Sequence, residues 1–245
     1  MKLFIVPLLL ITSCAFAQYE TRSISPPIQE HKGIYFSAHP GFAYTTERRK
    51  VSYDVSEIES KKFSGFLHLV EFRIGRFFSN MASLYAVLGL GMGEGSFKGE
   101  YITKENGNEI NKVTIKDDDD GTFRVSSGGG LEIYPVQDIT GLMYGTFIGV
   151  NAGFELDYFK VTAYDFNQVY RDSSMVTGFI NLFCKFEIGK EWRMNRLWNY
   201  GFALNYTISW LRDKNEHYSY TKVRKSADRI SHKSHTFGLT FRLSH

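Results

Sequence analysis

The last eleven residues, His235 to His245, alternate apolar and polar side chains without a break. Phe237, Leu239, Phe241 and Leu243 project one way, while Thr236, Gly238, Thr240, Arg242 and Ser244 project the other. A period of two is the signature of a strand with two unlike faces, and it rules out a helix for this stretch. Arg242 sits between two large apolar neighbours, so one face of the strand is apolar even though the strand as a whole is not. If that pattern recurs along the chain and the strands close on one another, the product is a barrel that crosses lipid with short strands, because closure pairs every backbone N–H and C=O.

The pattern does recur. Strands are expected at Gly33 to Thr45, Phe63 to Phe77, Leu84 to Gly95, Phe123 to Tyr134, Leu142 to Tyr158, Val176 to Gly189, Asn199 to Trp210 and His235 to His245. The fifth is the longest unbroken alternation, with Ile148, Val150, Phe154 and Tyr158 set against Gly149, Asn151, Glu155 and Asp157. In the seventh, Leu204 and Tyr206 continue the apolar face. Pro40 interrupts the first strand and is expected at a bulge or bend. None of the outward positions assigned to the apolar face, which ends at Ile74 in the second strand and at Met92 in the third, carries Asp, Glu, Lys or Arg, although 22% of the chain is charged. Lipid is the natural selector of such a face, since Arg or Lys at the bilayer midplane costs about 2–4 kcal/mol. Beyond residue 17 no apolar run is long enough for a membrane helix. A secreted barrel with an apolar interior is the rival architecture, but the polar set here is small and rich in glycine, as suits a narrow filled lumen.

The connections alternate in length. Those around 47–62, 98–121 and 212–233 are long and polar and that near 165–172 is moderate; those near Asn80, Pro135 to Thr140 and Glu191 to Asn195 are short. Asn106-Gly107 between β-prone flanks predicts that the third and fourth strands run on as a hairpin beyond the membrane. The first 17 residues read as an export signal, with Lys2, an apolar core from Leu3 to Ile11, and Ala15-Phe16-Ala17 before Gln18. Ile11 to Cys14 also fits a lipidation site at Cys14, which leaves two possible processing points. Residues 18–32, with Pro26-Pro27, form a polar lead-in, and 33–245 is the barrel. With its start inside the envelope, every long loop falls outside the cell and every short turn in the periplasm. With Cys14 in the leader, Cys184 is a lone thiol on the apolar face and no intramolecular disulfide is expected.

Thr236-x-Gly238-x-x-Phe241-x-Leu243 resembles the C-terminal sorting signal of outer-membrane barrels, with His245 in place of the commoner terminal aromatic. The whole mature pattern is similar to the OmpA/OmpX-like family of eight-stranded barrels. That resemblance implies an all-β, antiparallel up-and-down transmembrane barrel of about eight strands. It also implies a bacterial outer-membrane location, contact with outer-membrane lipid and lipopolysaccharide, and assembly by the barrel assembly machinery. Nothing in the chain points to nucleic acid.

Inside the barrel, Glu71, Arg73, Glu132, Lys185, Glu187 and Arg242 are expected at similar heights, three acids with three bases. Buried charges persist only when paired, so these six are expected to form an ion-pair network that fills and blocks the lumen. Ile148, Val150, Phe154, Leu204, Tyr206, Phe237, Leu239 and Phe241 are expected to face lipid. Trp192, Trp198 and Tyr200 at one end, with Tyr44, Tyr158 and Trp210 at the other, fit aromatic girdles.

Candidates for chemistry are weaker. His39 points inward and His68 outward, and His217, His232 and His235 belong in or beside the last loop without a fixed partner spacing. Asp117 to Asp120 lacks the alternate ligand spacing and glycine of a calcium loop. Lys222, Arg224, Lys225 and Arg229 make the last loop basic, which suits either an anionic surface or plain solvation. No catalytic residue, cofactor or metal is expected. The sequence therefore reads as a non-enzymatic scaffold that displays loops for adhesion, envelope integrity or partner binding. The alternatives are a lipid-modifying barrel enzyme with a Ser, His and acid at the outer rim, and a small channel.

Overall fold

A computed structural model describes residues 33–52, 56–79, 81–105, 108–136, 142–163, 173–194, 198–212 and 229–245. The expected leader, the polar lead-in, His217 and most of the basic loop lie outside these residues. The described residues form eight strands: β1 (Gly33–Ser52), β2 (Ser56–Ser79), β3 (Ala82–Glu105), β4 (Asn108–Ile133), β5 (Thr146–Ala163), β6 (Ser173–Arg193), β7 (Asn199–Arg212) and β8 (Arg229–Ser244). Each pairs antiparallel with its neighbour in sequence, and β8 returns to β1, so the sheet is a closed up-and-down barrel. This is the architecture of the eight-stranded family that the sequence resembles.

The strands outrun the periodic stretches that announced them. Residues 47–62, expected as a loop, are largely strand: Arg49 pairs with Ser60 and Ser52 with Glu57, so β1 and β2 continue as a ribbon. β3 and β4 do the same up to Glu105↔Asn108, as the Asn106-Gly107 signal predicted. Asp117 to Asp120, expected in that excursion, is strand backbone. At 26 residues β4 has a contour on the order of 80 Å, far beyond the roughly ten residues that a bilayer needs. β8 begins at Arg229 rather than His235, which turns His232 from a loop residue into a strand residue. Polar, charged sequence hides these extensions because both faces of a ribbon in water can be polar.

β5 is corrected in the other direction. It starts at Thr146, not Leu142, because Gly145 takes φ +80°, a left-handed conformation that ends the alternation and closes a turn in which Thr146 N–H donates to the Met143 carbonyl (3.1 Å). A side chain at Gly145 would also meet the Glu191 carbonyl at 2.3 Å. Glu191 itself, expected in a turn, belongs to β6 and points into the lumen. Pro40 causes no bulge. It sits outward, paired with Val70, and the β1–β8 ladder resumes after it in unchanged register, from Ala38↔Leu243 to Gly41↔Thr240.

The barrel wall separates two sets of side chains. Phe42, Phe66, Leu84, Ile148, Val150, Phe154, Leu204 and Phe237 are exposed outside, with Tyr206, Leu239 and Phe241 half-buried on the same face. On the inside, the end with short connections is floored by a run of rings, Tyr35 to Phe77 to Tyr134 to Phe147, with centroids 4.8, 5.9 and 5.8 Å apart. Above it the lumen is narrow enough that tyrosines need glycine partners on the adjoining strands. The Tyr85 ring lies where a side chain at Gly130 would stand, 2.4 Å from its nearest ring atom, and the Tyr35 ring lies over Gly75 in the same way. Gly130→Val is therefore expected to push Tyr85 off its seat and lower stability by about 1–3 kcal/mol, the usual range for overpacking, as read from urea unfolding of the refolded barrel.

Candidate functional site

The described lumen is organised around two clusters of buried charge. In the one nearer the short-connection end, Arg73 from β2 is the hub. It donates from Nη1 to Glu132 Oε1 (2.6 Å), from Nη2 to Glu187 Oε1 (2.7 Å) and from Nε to Glu71 Oε1 (2.7 Å). Lys185 Nζ donates to Glu71 Oε2 (2.5 Å) and pairs with Glu187 Oε1 (2.9 Å). Arg242 holds Glu132 bidentately, at 2.7 and 2.8 Å. The structure thus brings together all six residues that alternation had placed inside, drawn from β2, β4, β6 and β8.

One member was missed. Glu191 pairs with Arg242 Nε, accepts from Tyr134 Oη at 3.1 Å and from Ser244 Oγ at 3.3 Å, and is buried. The set is four carboxylates and three bases, not three of each. The missing signal was available: Glu191 continues the inward register of Lys185, Glu187 and Gly189, and the Gly145 turn is what lets the strand extend that far. The guanidinium faces are used as well, since Arg73 Cζ lies 4.6 Å from the centre of the Tyr85 ring and Arg242 Cζ lies 4.7 Å from that of Phe147.

The second cluster sits toward the long-connection end and was not foreseen as a unit. Arg124 of β4 donates from Nε to Asp157 Oδ1 (2.7 Å) and from Nη2 to Glu47 Oε1 (2.9 Å), with Glu155 Oε2 at 3.4 Å. His232 Nε2 stands 3.1 Å from Glu47 Oε2 and 3.8 Å from Asp157 Oδ2. Asn181 Nδ2 donates to Asp157 Oδ2 (3.0 Å), and Arg124 Nη1 reaches Thr236 Oγ1 (3.3 Å), which is hydrogen-bonded to Thr45 across the β1–β8 seam (2.9 Å). Alternation had set Arg124, Glu155 and Asp157 inside, but Glu47 and His232 were read as loop, so their meeting was not legible.

The other histidines are dispersed. His39 Nε2 is 2.9 Å from Ser37 Oγ deep in the lumen. His68 is exposed outside, and His235 lies on the outer face, where its Nδ1 is 2.7 Å from Tyr206 Oη. His232 faces carboxylates, yet Ser234, two residues along and buried, has a hydroxyl with no hydrogen-bond partner. The Ser–His–acid trio that a rim hydrolase would need is thus not assembled among the described residues. Between the clusters lies a cavity of about 50 Å³ lined in part by Glu71, Asn151 and Lys185 below and Arg124, Glu155 and Thr236 above. It has room for water but falls well short of the roughly 300 Å³ at which small-molecule sites begin. Of the sorting pattern, Thr236 and Gly238 face in, while Phe241, its ring centroid 5.4 Å from that of Phe202, and Leu243 face out.

No protein-family model and no curated protein matches the chain by sequence. Among solved structures it is similar to the outer membrane protease OmpT from Escherichia coli, with 10% identity, coverage of 92% of this chain and 99% of that one, and a TM-score of 0.45. It is also similar to the outer membrane protein OprG from Pseudomonas aeruginosa (12%, 88% and 98%, 0.42). A further similarity is to Ail, the attachment invasion locus protein of Yersinia pestis (11%, 86% and 99%, 0.35).

Removing the hub of the first cluster should expose its balance. Arg73→Ala leaves Glu71, Glu132 and Glu187 short of a shared partner, and a loss of about 3–5 kcal/mol is expected in urea unfolding of the lipid-reconstituted barrel. A loss below ~1 kcal/mol would mean that water, not Arg73, neutralises these carboxylates.

Proposed function

We propose that the chain is an integral outer-membrane barrel with a plugged lumen, a non-enzymatic scaffold that holds its strand extensions and long loops outside the cell. The observation that carries this reading is the contrast between the two faces of one wall. Outside, the charged residues described lie toward the two ends: Arg48, Glu94 and Lys233 toward the long connections, and Arg76 and Lys190 toward the short ones. Between them runs an uncharged belt. Rings gather at its borders, with Trp192 against Tyr200 (5.6 Å) and Trp198 against His245 (4.9 Å) at the short-connection end, and Tyr44 against Phe66 (5.3 Å) and Phe123 near Tyr158 (6.3 Å) at the other. Amphipathic rings at two heights are what bilayer interfaces favour.

Inside, two layers of mutually bonded charge span the cross-section. A conducting pore needs a continuous wet path lined by weakly held ions, whereas Arg73, Arg124 and Arg242 are each committed to two or more carboxylates. With long connections outside and both described termini of the barrel at the short-connection end, the exposed ribbons of β1 to β4 become the surface for adhesion, envelope integrity or partner contact. Lipopolysaccharide is the surrounding lipid in this reading. Thr236, Gly238, Phe241 and Leu243 serve as the segment that the barrel assembly machinery reads.

The protein should fractionate with the outer membrane and resist carbonate extraction; recovery in the soluble periplasm would sink the proposal. Within the belt, Ile148→Arg should cost about 2–4 kcal/mol, against about 1 kcal/mol for Asn151→Ser, which loses the 3.1 Å hydrogen bond to Tyr85 inside. Equal costs in folding titrations would invert the assignment of faces. In planar bilayers the purified barrel should give no steady conductance, and persistent open-channel currents would replace the scaffold with a channel.

A further inference from the structure

Positive charge gathers on the outer face at the long-connection border of the belt. Arg48 of β1 and Lys233 of β8 stand directly opposite each other across the closing seam, and both are exposed. Like charges set opposite on neighbouring strands repel, and among the described residues no carboxylate pairs with either of them. The ladder carries the row onward. Arg48 falls where the β1–β2 register shifts, between Glu47↔Phe63 and Arg49↔Ser60, a shift that takes in Lys62. Lys62 is in register with Lys98 of β3, which is exposed, and Lys98 is in register with Lys116 of β4. Trp210 of β7 stands opposite Lys233 at the other end of the row. Among the described residues the acid on this face is Glu94, and it belongs to the row of Tyr44 and Phe66, nearer the belt.

Below the cations the wall is aromatic. The outward positions run from Arg48 through Thr46 to Tyr44 on β1, and from Lys233 through His235 to Phe237 on β8. At the level of Tyr44 the ladder reads Tyr206, Phe237, Tyr44 and Phe66 from β7 to β2. Tyr206 and Phe237 have ring centroids 4.6 Å apart, and Tyr44 and Phe66 5.3 Å. Phe237, Tyr44 and Phe66 are exposed. Thr46 and His235 lie between rings and cations, half-buried and held: His235 Nδ1 is 2.7 Å from Tyr206 Oη, and the Thr46 hydroxyl donates to the His235 carbonyl (3.5 Å).

A ligand that uses this whole face has two parts. Its apolar part lies on the rings within the belt, and its anionic part meets the cations where the belt stops. A soluble polyanion would leave the rings unused, and a lipid with one phosphate would leave most of the row unused. We propose that this face binds one molecule of a multiply phosphorylated outer-leaflet lipid of the lipopolysaccharide class, with one phosphate between Arg48 and Lys233, another toward Lys98, and an acyl chain over Phe66, Tyr44 and Phe237. The proposal rests on the outer-membrane reading above and adds to it a fixed position on the wall and a stoichiometry. Phosphate offsets the repulsion of the facing cations through charge-assisted hydrogen bonds. Because the site straddles β1 and β8, the bound lipid braces from outside the seam that Thr45 and Thr236 bond from inside.

The test refolds the chain into detergent and offers it lipid A bearing two phosphates, the dephosphorylated form of the same lipid, or inorganic pyrophosphate. Retention is read by native mass spectrometry and stability by the thermal unfolding midpoint. The expected result is one lipid A with two phosphates retained per chain and a raised midpoint, with neither effect from the other two probes. The double variant Arg48→Gln, Lys233→Gln should weaken retention by more than about tenfold, while Arg76→Gln, an exposed cation at the opposite border, should leave it unchanged. All three side chains are exposed, so the variants keep the packing of the barrel. Equal retention of dephosphorylated lipid A overturns the proposal, because the rings alone would then hold the lipid. An equal effect of pyrophosphate overturns it from the other side, as does undiminished retention by the double variant. A chain that inserts into vesicles as a barrel yet retains no lipid A removes this proposal alone, whereas one that fails to insert removes the outer-membrane reading as well.

Discussion

A backbone N–H or C=O left bare in hydrocarbon costs several kcal/mol, and a sheet with an edge leaves a row of them. Closure of β8 onto β1 is the condition under which the other strands can exist in lipid, and the seam shows how it is met. The ladder runs from Ser37↔Ser244 to Ser52↔Arg229 in one register, the hydroxyls of Thr45 and Thr236 bond across it, and Phe36 and His245 exchange both backbone hydrogen bonds at its end. Pro40 has no N–H to give this ladder, and its neighbours resume pairing without a shift, so the loss stays local.

Closure with eight strands also fixes how little room there is inside. A lumen this narrow accommodates large groups only where the facing wall gives way, so Tyr35 and Tyr85 sit over glycines and the rings of Phe77, Tyr134 and Phe147 share one level. The same narrowness forces charges together. Taking Arg73 and Arg242 out of water is costly, and the cost is offset because each guanidinium finds carboxylates on several strands and a ring on one face. The ion pairs thus couple walls that share no ladder: Arg73 of β2 binds Glu187 of β6, and Arg124 of β4 binds Glu47 of β1. Strand pairing alone ties each strand to two neighbours, and the charge layers tie across.

These layers bear on function through what they exclude. Between them the cavity of about 50 Å³ has room for water. On the proposed reading, contact with other molecules falls to the ends of the barrel, above all to the ribbons that β1 to β4 build beyond the belt.

The sequence alone carries the class of fold, the inward or outward sense of nearly every residue in the belt, and six of the seven members of the first charge layer. The reason is that a strand has a period of two and lipid rejects charge, so one face announces itself in composition, and Glu71, Arg73, Glu132, Lys185, Glu187 and Arg242 follow by elimination. Tertiary structure decided what lies past the belt. Glu47 and His232 stand in polar surroundings where alternation carries no signal, and only the register of the neighbouring strand carries them inward, while Glu191 continues the alternation of β6 through a stretch expected to turn, beside the left-handed turn at Gly145. Which carboxylate meets which base was likewise undetermined, because residues 112 positions apart such as Arg124 and Thr236 are brought into contact by the curvature of a closed wall, a property of no single strand.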